Sequence, residues 1–210
     1  MESEVRTFEE PPRSGHKLLD MITSTAALVI SAISIFMAYD NGRDMQKLVH
    51  ANSWPVLTLG SSNSGGYKDG KVELSLGFSV RNAGIGPARI HSYEFLVDKK
   101  PVEGPWPYTI VAACCPEVWK KALAAAGGKD HRAIGDEFTG PIAGTFLSPG
   151  ESTRSLTWPR TDSNGPLWDA VDEARKRGRI ATRACYCSVF DECWVAEPGT
   201  FPPRSVPRCK

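Results

Sequence analysis

The sequence lacks the short motifs that mark the common classes of enzyme. It has no Gly-x-Ser-x-Gly, no His-Glu-x-x-His, no glycine-rich phosphate loop and no Cys-x-x-Cys, and only four of its 210 residues are histidine. It also lacks an excess of either charge, since 25 Lys and Arg residues face 24 Asp and Glu residues, whereas nucleic-acid binding needs a strongly basic face. We therefore expect no catalytic activity, no cofactor and no nucleic-acid partner.

The remaining clusters of charge are typical of a solvated surface. Two carboxylate pairs, Asp136 with Glu137 and Asp191 with Glu192, fall on predicted loops, and paired acids indicate glycosidase chemistry only at a defined separation. The basic run "RKRGR" at 175–179 ends a predicted helix, where cations interact favourably with the helix dipole. Neither feature predicts a site.

One long run has no charged residue. "MITSTAALVISAISIFMAY", Met21 to Tyr39, is 19 residues long and is flanked by Asp20 and Asp40. As a helix it would be about 28 Å long, close to the hydrocarbon thickness of a bilayer. The run therefore predicts a transmembrane helix, with the lipid bilayer as its partner.

A cleaved signal peptide is the main alternative for this run. The residues before it are acidic rather than basic, and the run is longer than the usual ~7–15-residue core of a signal peptide. Cleavage after Ala38 would also need a small residue where Phe36 stands. These features favour an uncleaved anchor.

The charges that flank the run only weakly indicate its orientation. Arg6, Arg13 and Lys17 precede it, while Arg43 and Lys47 follow it, a difference of one positive charge under the positive-inside rule. Six cysteines are easier to explain in a compartment where disulfides persist. We therefore expect the N-terminus in the cytoplasm and the rest outside. The inverse orientation, with reduced cysteines, is the alternative.

Composition and periodicity divide the chain into four parts. The hydrophobic fraction of 41% and the charged fraction of 23% predict a folded chain with one core. We expect a disordered cytoplasmic tail at 1–17, a transmembrane helix and helical stalk at 18–52, a β domain at 53–197, and a proline-rich tail at 198–210. The last part should be extended and semi-rigid.

The β domain shows a period of two from Val56 onward. "KVELSLGFSVRNAG" alternates apolar and polar residues, and the further strands "RIHSYEFLVDKKPV", "TFLSPGESTRSLTWP" and "GRIATRACYCSVFDECWVAE" follow. One face of the first strand should carry the residues Val72, Leu74, Leu76, Phe78 and Val80. The pattern predicts a mainly β fold built from antiparallel strands.

Two short helices interrupt the strands. "PEVWKKALAAAGG" and "SNGPLWDAVDEARKRG" each place a proline in the first turn and a glycine after the last turn. Ser163 or Asn164 should cap the second helix. The segment between them, "GKDHRAIGDEFTG", is expected to be an exposed loop.

Two turns resemble those of a known family. The first ends a strand with the residues Asn82, Gly84, Gly86, Pro87 and Ala88. The second opens a strand that ends in an aromatic residue, with Pro149, Gly150, Glu151, Ser152 and Trp158. Over about 45 of the 210 residues the chain resembles bacterial immunoglobulin-like β-sandwiches of the CARDB type, from which the two helices and the cysteine-rich hairpin depart.

The layout as a whole also resembles bacterial single-pass membrane proteins that carry no assigned activity. This resemblance implies a location in the bacterial inner membrane. With the N-terminus in the cytoplasm, the C-terminal domain would be periplasmic or extracellular.

The cysteines are the strongest candidates for a specific role. Cys185 and Cys187 share one face of a strand, and Cys193 can face Cys187 across a hairpin. Six cysteines allow 15 connectivities. We favour Cys187 with Cys193, then Cys185 with one of the vicinal pair, and Cys209 with the other. The disulfide candidates are Cys114, Cys115, Cys185, Cys187, Cys193 and Cys209.

These observations lead to two hypotheses about function. The first is a membrane-anchored extracytoplasmic binding or assembly module without catalytic activity, whose partner is another envelope protein. The alternative is a thiol-redox or metal-binding envelope enzyme that uses the clustered cysteines. The spacing of the cysteines matches neither a zinc knuckle nor a helix-start redox motif, so we expect no metal site.

Overall fold

The computed structural model describes residues 17–68 and 70–209. The chain divides into two units, Met1–Leu48 and Val49–Lys210. Apart from Lys17, the tail expected at 1–17 lies outside the described residues.

The first helix, α1, runs from Lys17 to Ala51 and buries no residue. Hydroxyl groups in its apolar part bond to carbonyl oxygens of the preceding turn, as Thr25 does to Met21 and Ser34 to Ile30, both at 2.8 Å. These side chains therefore leave no unsatisfied polar group on an apolar helix. By length and composition α1 can cross a membrane, and a signal sequence near the N-terminus passes the same test.

The second unit contains twelve strands and four helices among its described residues. The strands are β1 (Leu57–Ser62), β2 (Tyr67–Lys68), β3 (Lys71–Val72), β4 (Ser75–Asn82), β5 (Ala88–Val97), β6 (Lys100–Val102), β7 (Phe138–Thr139), β8 (Phe146–Leu147), β9 (Ser152–Pro159), β10 (Ile180–Cys187), β11 (Cys193–Ala196) and β12 (Arg204–Val206). The helices are α2 (Tyr108–Cys114), α3 (Pro116–Ala125), α4 (Asp130–Ile134) and α5 (Gly165–Lys176).

The strands form two main antiparallel sheets, as the alternating pattern predicts. Sheet 1 has the order β1-β4-β9-β7, and sheet 2 has the order β12-β11-β10-β5-β6, with β8 also paired to β5. A separate two-stranded sheet joins β2 and β3. The two-residue turn between β5 and β6 has positive φ at Asp98 (49°) and Lys99 (66°), the geometry that matches the twist of a hairpin.

Both sheets contribute to one hydrophobic core. Phe78 of sheet 1 meets Phe95 of sheet 2 edge to face, with ring centroids 4.9 Å apart. The buried hydroxyls of Tyr93 and Ser155 are 2.8 Å apart and link the same two sheets, and burial raises the pKa of Tyr93. The inner faces of the sheets therefore meet through apolar packing and at least one polar contact.

The strand around Phe78 is shorter than predicted. Leu76, Phe78 and Val80 are buried as expected, but Val72 is 58% exposed and Leu74 is 37% exposed. The reason is that β4 begins at Ser75, so the two preceding apolar residues lie outside the ladder with β9.

The described part contains four short helices where two were expected. The two predicted ones are present as α3 and α5, and Gly127 and Gly178 follow them with φ of 67° and 72°. The prediction of an exposed loop at "GKDHRAIGDEFTG" is wrong in part. This segment contains α4, whose Ile134 is fully buried. The region expected as a proline-rich tail supplies β12, which pairs with β11.

Asn164 precedes α5, but its side chain does not cap the helix. The amide instead donates to the carbonyl oxygens of Ile134 (2.9 Å) and Pro159 (3.0 Å). Asn164 therefore ties α4 to the end of β9 rather than stabilising the first turn of α5.

Candidate functional site

A cleft of about 560 Å³ lies where an edge of sheet 1 approaches sheet 2. We call it the edge cleft. Its walls are formed by β1, through Leu59 and Ser61, and by the first half of β10, through Ile180 and Thr182. Lys99 and Glu197 lie at its rim.

Both walls are strand edges without a neighbour among the described residues. β1 pairs with β4 only, over its whole length. β11 pairs with β10 from Ala184 to Cys187 only, because the chain turns away at Glu197 and Pro198. Proline has no amide hydrogen to continue the ladder, so the first half of β10 is bonded to β5 alone.

The register shows which backbone groups point into the edge cleft. The amide of Asp98 donates to the carbonyl of Arg179 at 2.8 Å, so the backbone groups of Arg179 point towards β5. Successive residues of an antiparallel strand face opposite neighbours. The N–H and C=O groups of Ile180 and Thr182 therefore point away from β5, towards the edge cleft.

The same argument applies to β1. The amide of Ala83 donates to the carbonyl of Val56 at 2.8 Å, which places Val56 in a bonded pair with the chain of β4. Leu59 and Ser61 then direct their backbone groups away from β4. The edge cleft thus has backbone donors and acceptors on two sides, above an apolar floor that includes Phe78.

The charges around the edge cleft are mostly paired. Arg183 bonds to Glu94 at 2.8 Å and lies 3.7 Å from Glu197, and the hydrogen bond with Glu94 raises the pKa of Arg183. Lys99 forms no ion pair with any residue that the structure describes. A ligand carboxylate would therefore find its best partner at Lys99.

A buried carboxylate fixes the end of the edge cleft near α5. Asp172 is only 5% exposed and accepts hydrogen bonds from Arg175 (2.7 Å), Lys176 (2.7 Å) and Asn63 (3.0 Å). Its burial raises the pKa, but the bonds from these three groups outweigh that effect and leave the pKa below its usual value. Arg175 also bonds to the hydroxyl of Ser61, so this ion cluster holds α5 against β1.

The six cysteines form three pairs in the second unit. Cys187 and Cys193 face each other in the β10–β11 hairpin with sulfurs 2.04 Å apart, in agreement with the prediction. Cys185 pairs with Cys209 at 2.07 Å, which ties the C-terminal segment to β10. The adjacent residues Cys114 and Cys115 pair with each other.

The predicted pairing of Cys185 with the vicinal pair does not agree with the structure. Cys185 lines an outer groove of sheet 2 together with Val195 and Arg204, whereas Cys114 packs into the hydrophobic core. The two positions lie on opposite faces of sheet 2. Strand alternation indicated that Cys185 and Cys187 share a face, but not which distant cysteine would reach that face.

Three sulfurs, those of Cys187, Cys193 and Cys209, lie within 4.8 Å of one another. Zinc and other metals that favour sulfur ligands bind thiolates whose sulfurs lie about this far apart. In the structure each of these sulfurs is bonded to another cysteine, so none is a thiolate that can act as a ligand.

The carboxylate pairs and the basic run noted in the sequence form separate contacts at the surface. Glu137 accepts a hydrogen bond from Tyr108 at 3.1 Å, and Asp191 forms an ion pair with Arg89. In the basic run, Arg177 pairs with Glu173 and Arg179 with Asp98. These residues do not converge on one point.

Comparison with protein-family models, with curated proteins and with solved structures gives no match.

Proposed function

We propose that the chain is a membrane-anchored binding module. In this proposal α1 crosses the bacterial inner membrane once with the N-terminus in the cytoplasm, and an extracytoplasmic immunoglobulin-like β-sandwich of the CARDB type binds an extended segment of another envelope protein without catalysis. The edge cleft carries the proposal, because exposed strand edges beside an apolar floor suit β-strand addition.

Further observations support the proposed extracytoplasmic location and the proposed β-sandwich fold. The two antiparallel sheets share one core, as in two-layer β folds. All six cysteines are paired, which is typical of oxidising compartments. The apolar helix α1 precedes the β unit, so one membrane crossing would anchor that unit to the membrane.

The orientation can be tested with reporters fused to the C-terminus in a bacterial host. We expect alkaline phosphatase, which needs an oxidising compartment, to be active, and green fluorescent protein exported by the general secretion route to be dark. The same fusions to residues 41–210, without the apolar run, should give the opposite pattern. A fluorescent fusion and an inactive phosphatase on the full chain would place the domain in the cytoplasm.

Peptide binding at the edge cleft can be tested with a fluorescein-labelled peptide of four Val-Glu repeats, which favours an extended strand and carries carboxylates. We expect Lys99→Glu to weaken its binding about threefold to tenfold, because one rim cation becomes a repulsive charge. Lys120→Glu makes the same charge change on exposed α3 and should bind like wild type. Fluorescence anisotropy on the full chain in detergent measures both.

Hydrogen exchange shows whether the peptide pairs with the strand edges. The bound peptide should slow exchange at the amides of Leu59, Ser61, Ile180 or Thr182, because strand addition bonds these groups. Equal affinity of both variants, unchanged exchange at all four amides, or no binding at millimolar peptide would count against the edge cleft as the site.

A further inference from the structure

Two disulfides of sheet 2 are in contact with each other. The sulfur of Cys209, bonded to Cys185, lies 3.8 Å from the sulfur of Cys187, which is bonded to Cys193. The distance corresponds to van der Waals contact between two sulfurs that are not bonded. A thiolate released at Cys209 would therefore start next to Cys187.

The Cys185–Cys209 disulfide borders a groove. Cys187 and Cys193 are 2% and 5% exposed, and Cys185 is 9% exposed. Cys185 lines a groove of about 460 Å³ on the outer face of sheet 2. A small molecule in this groove would contact Cys185 rather than Cys209, which is half-buried and does not line the groove.

The groove is positively charged. Arg183, Arg204 and Arg208 line it, against the single carboxylate of Glu94. Arg183 is bonded to Glu94, whereas Arg204 and Arg208 form no ion pair in the described part of the chain. Two guanidinium groups without an ion-pair partner among the described residues favour an anionic molecule over a neutral one.

We propose that this four-sulfur cluster is a thiolation site for small anionic thiols, with Cys185 as the modified residue and Cys193 as the thiol that is released. The thiolate attacks the sulfur of Cys185, forms a mixed disulfide there and expels Cys209 as a thiolate. Cys209 then attacks the sulfur of Cys187, forms the Cys187–Cys209 disulfide and expels Cys193, which takes up a proton. The reactants and the products each contain two disulfide bonds and one thiol, so no net oxidation or reduction occurs.

The exchange leaves the C-terminal segment attached to β10 while it removes the cross-strand link of the β10–β11 hairpin. Cys209 remains bonded to β10, through Cys187 instead of Cys185. Cys193 becomes a free thiol next to the hairpin loop, where its sulfur lies 3.3 Å from the carbonyl oxygen of Asp191. The modification thus breaks the Cys187–Cys193 disulfide of the β10–β11 hairpin and leaves the thiol of Cys193, a nucleophile, at the same place.

The test uses the full chain in detergent, incubated with reduced glutathione and then quenched with N-ethylmaleimide. Chymotrypsin cleaves after Tyr186, Phe190 and Trp194, so Cys185, Cys187 and Cys193 separate for mass spectrometry. The expected products are glutathione on Cys185, a Cys187–Cys209 disulfide and the maleimide on Cys193. The maleimide on Cys209 with an intact Cys187–Cys193 disulfide would overturn the transfer, and no glutathione on Cys185 would overturn the whole proposal.

Two sets of variants sharpen the test. In the double variant Cys187→Ser with Cys193→Ser the acceptor is missing, so the maleimide should appear on Cys209 while glutathione remains on Cys185. Arg208→Glu should slow the reaction with glutathione about threefold to tenfold and leave the reaction with neutral 2-mercaptoethanol unchanged. Arg177→Glu, directly after the end of α5, makes the same charge change away from the groove, and an equal effect in both arginine variants would remove the role of the groove.

Discussion

Replacing Asn82 by alanine should destabilise the second unit by about 3–4 kcal/mol, a large part of the stability of a small domain. The side chain is fully buried. Its oxygen accepts from the amides of Val56 (3.3 Å) and Gly84 (3.0 Å), and its nitrogen donates to the carbonyls of Gly86 (2.8 Å) and Leu147 (3.0 Å). Alanine would leave four backbone groups without this partner, and urea denaturation followed by tryptophan fluorescence measures the loss.

Two further variants separate this explanation from a simple loss of packing. Asn82→Asp keeps the shape of the side chain but replaces the donor with a second acceptor, so it should be at least as destabilising as alanine, because two carbonyls would face a carboxyl oxygen. Asn52→Ala at an exposed position should change stability by less than about 0.5 kcal/mol. A small cost for Asn82→Asp would show that the four hydrogen bonds do not hold these turns together.

The role of Asn82 shows how far the sequence can be interpreted. The Asn-x-Gly pattern after an alternating strand predicted a turn correctly, since short polar side chains and glycine are typical of turns. The bond from Asn82 to Leu147 spans 65 residues, and no local pattern contains that partner. The turn could therefore be predicted, but not its function as a link between separate segments.

Most strands were predictable because one face of each is buried. Leu76, Phe78 and Val80 alternate with polar residues, and burial follows the same alternation. The prediction was wrong at Val72 and Leu74, where the alternation continues but the partner strand has ended. A periodic pattern records which residues favour burial, while the length of a strand depends on its neighbour.

The edge cleft could not be predicted for the same reason. Its open edges exist because β11 reaches only the second half of β10, and because β1 is the first strand of its sheet. Pro198 was visible in the sequence as a strand terminator. That its position would leave the outward backbone groups of Ile180 and Thr182 without a second strand among the described residues became clear only from the register of β10 with β5 and β11.

Replacing Trp158 by alanine should cost about 3–5 kcal/mol, the usual range for a large buried aromatic residue. Trp158 has no exposed surface, and it faces Leu76 across the β4–β9 ladder. Its indole nitrogen donates to the carbonyl of Ile134 at 2.8 Å, and its own carbonyl accepts from the indole of Trp168 at 2.9 Å. The residue therefore joins sheet 1 to both α4 and α5.

Comparing Trp158→Phe with Trp158→Ala shows how much of this cost comes from packing and how much from hydrogen bonding. The carbonyl of Ile134 keeps a second donor, Asn164, at 2.9 Å, so losing the indole N–H leaves no bare acceptor, and phenylalanine should cost only about 1–2 kcal/mol. Phe138→Ala, at a site 67% exposed on the neighbouring strand, should cost less than about 0.5 kcal/mol. Urea midpoints give the order of the three variants. If phenylalanine costs as much as alanine, the indole hydrogen bond, rather than apolar volume, holds α4 against sheet 1.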